Sequence, residues 1–421
     1  MVFDQEATAT KCLYCGAGLM VLGGRSSWLN FLIKPKIEVK DTVGAITTIA
    51  QKNGWRPPLV RSVIPFFYPF YRTRGHAIKW TRGEKKAQSD PVGEIVEDVV
   101  TRSYDIMRSA HEDLSCGLFS PGFRVQTLHL YLATRENAGK WPFLENQTDR
   151  NTFLDKTRGN SVDGLESPGV QVREEMAFQI RERHSVVYFP FSLVEIREGN
   201  QIRQLLIDAV GGALVRQLGH EEMELLLDNM GQSGAKSPGE GRLKLIPLIC
   251  PECAGDLDPS TTAVVRFCRS CGRAWEAGGA RMRERECLWA GTEVIVRGEG
   301  TIFLPFWRRS DAERTFLIPA FGVRSPQNLY NISQRYCEAR YPADPVPYDS
   351  RLRIEALNAQ IQADEADEMI EILSLTTDIK PLNRRAGGQN LVLIPFRRRG
   401  PDLVDHYHGL AVPIGTLEVR L

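Results

Sequence analysis

The chain reads as an α+β protein: several small sheet-plus-helix modules with a four-cysteine ribbon inserted among them. Three observations predict this. Two Cys-x-x-Cys pairs, Cys250/Cys253 and Cys268/Cys271, sit close together in sequence. Apolar runs ending in Pro-Phe recur at Pro69-Phe70, Pro190-Phe191, Pro305-Phe306 and Pro395-Phe396, with Pro319-Ala320-Phe321 as a variant. Segments of helical period alternate with β-branched runs along the whole length.

The elements follow in order. A strand is expected at 31–33. Asp41 can cap a helix running to Asn53, with Gly54 as its stop. Pro57-Pro58 breaks the chain before a β-rich run over 63–80. Residues 92–111 read as helix, 123–132 as strand, 145–169 as a polar loop and 170–182 as helix. A strand over 184–197, a turn at Glu198-Gly199-Asn200 and a return strand within 201–215 make a hairpin. Residues 221–229 are helical, and the Gly/Ser/Pro stretch 231–241 is the best linker. Beyond the cysteines, 363–374 read as helix with Asp364 near its start, and 391–396 and 410–414 as strands. The implied modules are 1–88, 89–245, 246–280 for the ribbon, and 281–421. A proline cannot donate to a sheet ladder, so each Pro-Phe is expected at an edge, a strand start or a bulge. Their uneven spacing implies divergent modules and not a stacked array.

Composition narrows the function classes. With 421 residues, 42% hydrophobic and 25% charged, the chain can bury a core without disulfides. Its 53 Lys+Arg against 52 Asp+Glu give a net charge of +1, which excludes a globally basic nucleic-acid coat and an acidic disordered solvating chain. The first ten residues lack a basic and then apolar leader, and no stretch is long enough to span a bilayer. Nine cysteines, six of them in Cys-x-x-Cys pairs, point to reduced thiols and so to a cytoplasmic protein.

The four clustered cysteines carry the clearest chemistry. Zn²⁺ prefers a tetrahedron of thiolates, and two Cys-x-x-Cys knuckles supply two sulfurs each from a tight turn. Four cysteines leave no open position, so the site is structural and not catalytic. Iron in a rubredoxin-like site, and four buried free thiols or disulfides, are the alternatives. On Cys250, Cys253, Cys268 and Cys271 the segment 248–277 resembles the zinc-ribbon class, as in transcription factor IIB-type ribbons. It departs where Ala254 follows the first knuckle directly and Gly255 comes one later. That class implies structural Zn²⁺ and serves nucleic-acid binding and protein docking alike. The strand 186–191, its hairpin and Asp208-Ala-Val-Gly-Gly212 are similar to uncharacterised bacterial ribbon proteins that repeat aromatic-Pro-Phe modules. That resemblance supplies no catalytic residues.

A third knuckle, Cys12-Leu-Tyr-Cys15-Gly16, has no obvious partner. It is a candidate second metal pair completed by Cys116, Cys287, Cys337 or a histidine, or shared across a dimer. It could equally be a redox pair or a metal-free turn. Three Pro-Phe strands run into arginine, giving Arg72, Arg74, Arg308, Arg309, Arg397 and Arg398. Arg266 and Arg269 flank the ribbon. Such arginines suit phosphate and single-stranded nucleic acid, or they mark strands emerging into solvent beside balancing acids. Neither a phosphate loop nor a catalytic motif is found. His406-Tyr407-His408 near Asp405 would share a face if on a strand, and Asp208 is read as a turn residue. The expectation is a non-enzymatic zinc-binding structural or adaptor protein with protein partners, no membrane span and no indicated small-molecule substrate. Nucleic-acid binding through the arginine-rich strand ends is the alternative.

Overall fold

The computed structural model describes residues 9–11, 15–22, 28–85, 94–111, 128–232, 244–260, 262–278, 281–290, 300–310, 315–339, 345–376 and 390–418. These form a mixed α+β fold with six α-helices, four sheets and the four-cysteine cluster between strands.

An N-terminal hairpin comes first, β1 (Ala9–Lys11) and β2 (Gly18–Leu22). A first half follows: β3 (Leu29–Ile33), α1 (Thr42–Lys52), β4 (Leu59–Lys85), β5 (Glu94–Ser109), β6 (Leu130–Leu132), α2 (Arg135–Ala138), α3 (Arg150–Val162), β7 (Val170–Glu198), β8 (Gln201–Asp208), β9 (Leu214–Leu218) and α4 (His220–Gln232). Strand β10 (Lys244–Pro247) returns to pair with β2. The ribbon contributes β11 (Val265–Phe267), β12 (Ala274–Gly278) and β13 (Arg281–Glu284). The second half is β14 (Cys287–Trp289), β15 (Thr301–Ser310), β16 (Thr315–Pro319), α5 (Pro326–Glu338), β17 (Val346–Pro347), α6 (Ala363–Thr376), β18 (Asn390–Arg399), β19 (Asp402–Asp405) and β20 (Ala411–Pro413).

The two halves repeat one topology. The first sheet runs β5-β4-β7-β3-β6 and the second β16-β15-β18-β14-β17, each branching to a further pair, β8–β9 or β19–β20. The one parallel pairing in each is equivalent, β3 with β7 and β14 with β18. Registers match as well. Pro69 faces Tyr188 and Phe67 faces Pro190, while Pro305 faces Leu393 and Phe303 faces Pro395. The Pro-Phe dipeptides at 69, 190, 305 and 395 are therefore two strands used twice; the chain's other two, Pro65-Phe66 and Pro142-Phe143, have no proline counterpart in the second half.

The prolines correct the expectation of edges, starts or bulges, because all four lie inside central strands. The reason is a change of neighbour. Phe67 bonds through N–H to Pro142 O and through its carbonyl to Leu144 N, and two residues on the Pro69 carbonyl accepts from Ala110 N. The missing N–H of Pro69 falls in the gap between these two partners. Phe303 and Pro305 repeat this with Glu355, Leu357 and Ala320. Pro190 and Pro395 sit where the partner changes from β3 to β8 and from β14 to β19, and their carbonyls accept from Ala209 N and His406 N.

Three local readings are overturned. Residues 94–109 are strand β5, paired with β4 over its whole 16-residue length. Residues 170–182 open the 29-residue β7. Both segments carry apolar residues at spacings that suit a helix, and only pairing with β4 decides for strand. The polar stretch holds α3, capped by Asp149 accepting from Thr152 N at 2.9 Å. It buries only Phe153, Thr157 and Ser161, so its apolar stripe is too thin to read in sequence. The expected boundary at 88/89 falls between β4 and β5, which one sheet joins. The first two residues of the expected linker 231–241 end α4, and the rest lie outside the described residues.

Strands β4 and β7 are long enough to serve both halves. Their inner parts place Phe66, Tyr68, Phe70, Phe189 and Phe191 in the first core. Past a register shift between Arg74 and His76, the outer parts bring Ile78 and Ile180 into the second core with Phe303 and Trp307. Among the described residues no helix is long and apolar enough to cross a membrane.

Candidate metal centre

The ribbon is built from two turns of one kind. In the first, Cys250 N donates to Gly255 O and Ala254 N to Cys250 O. In the second, Cys268 N donates to Arg273 O and Gly272 N to Cys268 O. The residue after each second cysteine takes a left-handed backbone, Ala254 at φ 57° and Gly272 at φ 80°. This folds the chain so that both thiols of a pair point inward. Backbone N–H groups of Gly255, Ser270, Cys271 and Arg273 face the sulfurs and offset thiolate charge.

The four sulfurs lie within 4.8 Å of one another. Cys250 Sγ is 3.6 Å from Cys271 Sγ, and Cys253 Sγ is 3.5 Å from Cys268 Sγ. A tetrahedron with Zn–S of about 2.3 Å has sulfur–sulfur edges of about 3.8 Å. A disulfide would need about 2.05 Å. The donor set therefore fits one zinc ion, held by four thiolates with no position left for water or substrate.

Packing supports the centre. Leu248, Leu257, Trp275 and Met282 bury around Cys250 and Cys268, joined by Ala9 and Met20 of the N-terminal hairpin. Arg273 ties the two turns, reaching Glu252 at 3.1 Å and Glu284 at 2.8 Å. The ribbon is also stitched to the second half, with Val264 N and Val265 N donating to Ala359 O.

The third knuckle falls partly outside the described residues, since Cys12 is not among them. Cys15 is an exposed free thiol. The flanking strands repeat the ribbon's register: Ala9 faces Met20 and Lys11 faces Gly18, as Val265 faces Glu276 and Phe267 faces Ala274. Gly16, at φ 71°, matches Gly272. Of the candidate completing ligands, Cys116 is outside the described residues. Burial pushes the Cys287 and Cys337 thiols up to about 12.

The arginines divide. Arg72 is 2% exposed and clasps Asp105 through two bonds of 2.8 and 2.6 Å. Arg266 is fully buried and donates to the carbonyls of Asp258, Ser260 and Ala263, stapling the ribbon loop. As nucleic-acid contacts these two are corrected: neither guanidinium reaches solvent. Arg309 is held by Asp367 at 2.9 and 2.7 Å. Arg269, Arg397 and Arg398 are exposed, and Arg74 and Arg308 are half-buried. Arg308 faces Asn390 while Arg397 faces Thr301, so these clusters lie at opposite ends of one strand pair. At ~3.4 Å per residue that is roughly 24 Å, too far for a single small patch.

Asp208 is a turn residue, accepting from Val210 N and Gly211 N. His406, Tyr407 and His408 lie in a turn and not on a strand, and Tyr407 N and His408 N donate to Asp405. What the sequence did not reveal is a polar cavity at the bend of β4 and β7, taken up below. Its only signal was charge inside a strand, at Arg181 and Arg183.

The fold and site define an α+β protein with a four-cysteine cluster of the zinc-knuckle kind. Comparison with protein families, curated proteins and solved structures finds no match to the chain.

Proposed function

We propose that the protein is a non-enzymatic, zinc-stabilised adaptor or structural subunit of a cytoplasmic assembly. The observation that carries the reading is the gathering of the Cys250, Cys253, Cys268 and Cys271 sulfurs within 4.8 Å, a set that would fill every coordination position of a zinc ion. Such a metal holds together a ribbon whose own core is small. The knuckle-shaped N-terminal hairpin is a candidate second metal pair through Cys12 and Cys15. Sedimentation of the endogenous protein in native extract tests the adaptor role. Migration as part of a larger stoichiometric species is expected, and migration as a solitary chain overturns it.

A second reading, nucleic-acid binding, is favoured by the exposed run Arg397, Arg398 and Arg399. It requires affinity that falls steeply with salt. Fluorescence anisotropy with single- and double-stranded oligonucleotides at two salt concentrations separates the readings, and no binding at low salt removes this one.

A further inference from the structure

The bend in β4 and β7 leaves a cavity of about 270 Å³ where the first half, the ribbon and the second half meet. Arg74, Arg181 and Arg183 come to it from the bend, Thr262 from the ribbon, and Gln360 and Glu418 from the second half. None of these belongs to the zinc cluster.

Three features mark it as more than a packing defect. First, Arg181 holds φ 55°, a left-handed backbone that strains a residue bearing a Cβ. Strain of this kind gathers at functional sites. It lies opposite the register shift at Arg74/His76, and Arg181 and Arg183, two residues apart in β7, both reach the same space.

Second, the acids nearest the cavity are each shared between two arginines. Asp105 is clasped by Arg72, with Arg74 further off at 3.6 Å. Glu365 pairs with Arg183, and Arg181 approaches it only to 3.9 Å. Glu182 takes Arg158 and the Tyr104 hydroxyl. Arg72, Arg74, Arg181 and Arg183 thus share the two carboxylates of Asp105 and Glu365, with Glu418 also lining the cavity. Third, Gln360 is 4% exposed, and its side-chain carbonyl oxygen meets no donor among the described residues. A buried acceptor left so is costly, and a ligand hydroxyl or amine would satisfy it.

We propose that this cavity is a binding site for a small oxyanionic metabolite, one carrying a phosphoryl or carboxylate group together with a hydroxyl or amine donor. Arg181 and Arg74 hold the anion, and Gln360 accepts from the donor. Planar guanidinium forks match both oxyanions. The volume suits a molecule smaller than a drug-sized ligand.

The test is calorimetric titration of the zinc-loaded full chain with inorganic phosphate, pyrophosphate and citrate, each against sodium chloride of equal ionic strength. Thermal melts run in parallel. Arg181→Gly is the key variant, because glycine adopts the left-handed backbone freely. It should melt no lower than the parent, yet bind about tenfold or more weakly, as loss of one charged hydrogen bond implies. Arg74→Gln gives an independent reading should Arg181→Gly fold poorly. Saturable binding of phosphate or pyrophosphate, lost in the variant, establishes a phosphoryl ligand. Binding of citrate alone, lost in the variant, establishes a carboxylate ligand. No binding beyond the salt control, or equal binding by parent and variants, overturns the proposal.

Discussion

Asp208 and Asp405 occupy one position in the two halves of the molecule: each faces the Phe of its Pro-Phe strand, Phe191 or Phe396, and each takes up the N–H groups of the turn that follows. Their surroundings differ. Asp405 accepts from Tyr407 N, His408 N and Leu410 N and from the Tyr336 hydroxyl at 3.0 Å. Asp208 accepts from Val210 N and Gly211 N, and burial raises its carboxyl above the usual range.

Substitution should follow that difference. Asp405→Asn turns an amide donor toward N–H groups and should cost about 2–3 kcal/mol. Asp208→Asn should cost about 1–2 kcal/mol, since fewer donors lose their acceptor. Urea unfolding of both variants measures this, and equal losses would contradict it.

Zinc content follows from the cluster. The purified chain should hold one zinc at the ribbon, and Cys271→Ser should release it. Release opens the Trp275 environment, so tryptophan emission should shift red. A second equivalent that disappears in Cys12→Ser would place a metal at the N-terminal hairpin. An unchanged zinc content in Cys271→Ser would refute the ribbon site.

The residues after the two knuckles make opposite predictions. Ala254 sits at φ 57° with a Cβ, so Ala254→Gly should stabilise by about 0.5–1 kcal/mol. A Cβ at Gly272 would come within 2.1 Å of the Ser350 carbonyl oxygen. Gly272→Ala should therefore loosen the ribbon from the second half. Thermal melts of the zinc-loaded variants compare the two directly.

His76 makes stability depend on pH. Burial, then the charges of Arg181, Arg74 and Arg183, lower its imidazole to about 4, while Glu365 works the other way. A depressed histidine favours the neutral form in the fold. Its contribution is complete above pH 6.5 and is lost as pH falls toward 4. The loss should be on the order of 2 kcal/mol, allowing for partial solvation. His76→Gln should flatten that part of the stability profile, read as denaturation midpoints from pH 7 to 4.

The parts legible in the sequence are those decided within a few residues. Zinc-ligand spacing, the stop of α1 at Gly54 with φ 68°, the Glu198-Gly199-Asn200 turn and the helix α6 depend on local backbone chemistry. The Asp208 turn was equally local. The repeat was visible in the Pro-Phe dipeptides at 69, 190, 305 and 395, but not its meaning. A proline is tolerated in a central strand only where the neighbouring partner changes, and that is a property of the assembled sheet.

The sequence by itself determined the α+β class and the four-cysteine cluster, because the mix of turn signals and β-branched runs and the ligand spacing are local properties. The tertiary structure decided the rest. It made strands of 94–109 and 170–182, since β4 offers both a ladder. It buried Arg72 and Arg266 against acceptors distant or unreadable in sequence, and separated Arg308 from Arg397 by the length of a strand pair. It also made the arginine-lined cavity, because a bend in paired strands brings together residues from three parts of the chain only once the halves have packed.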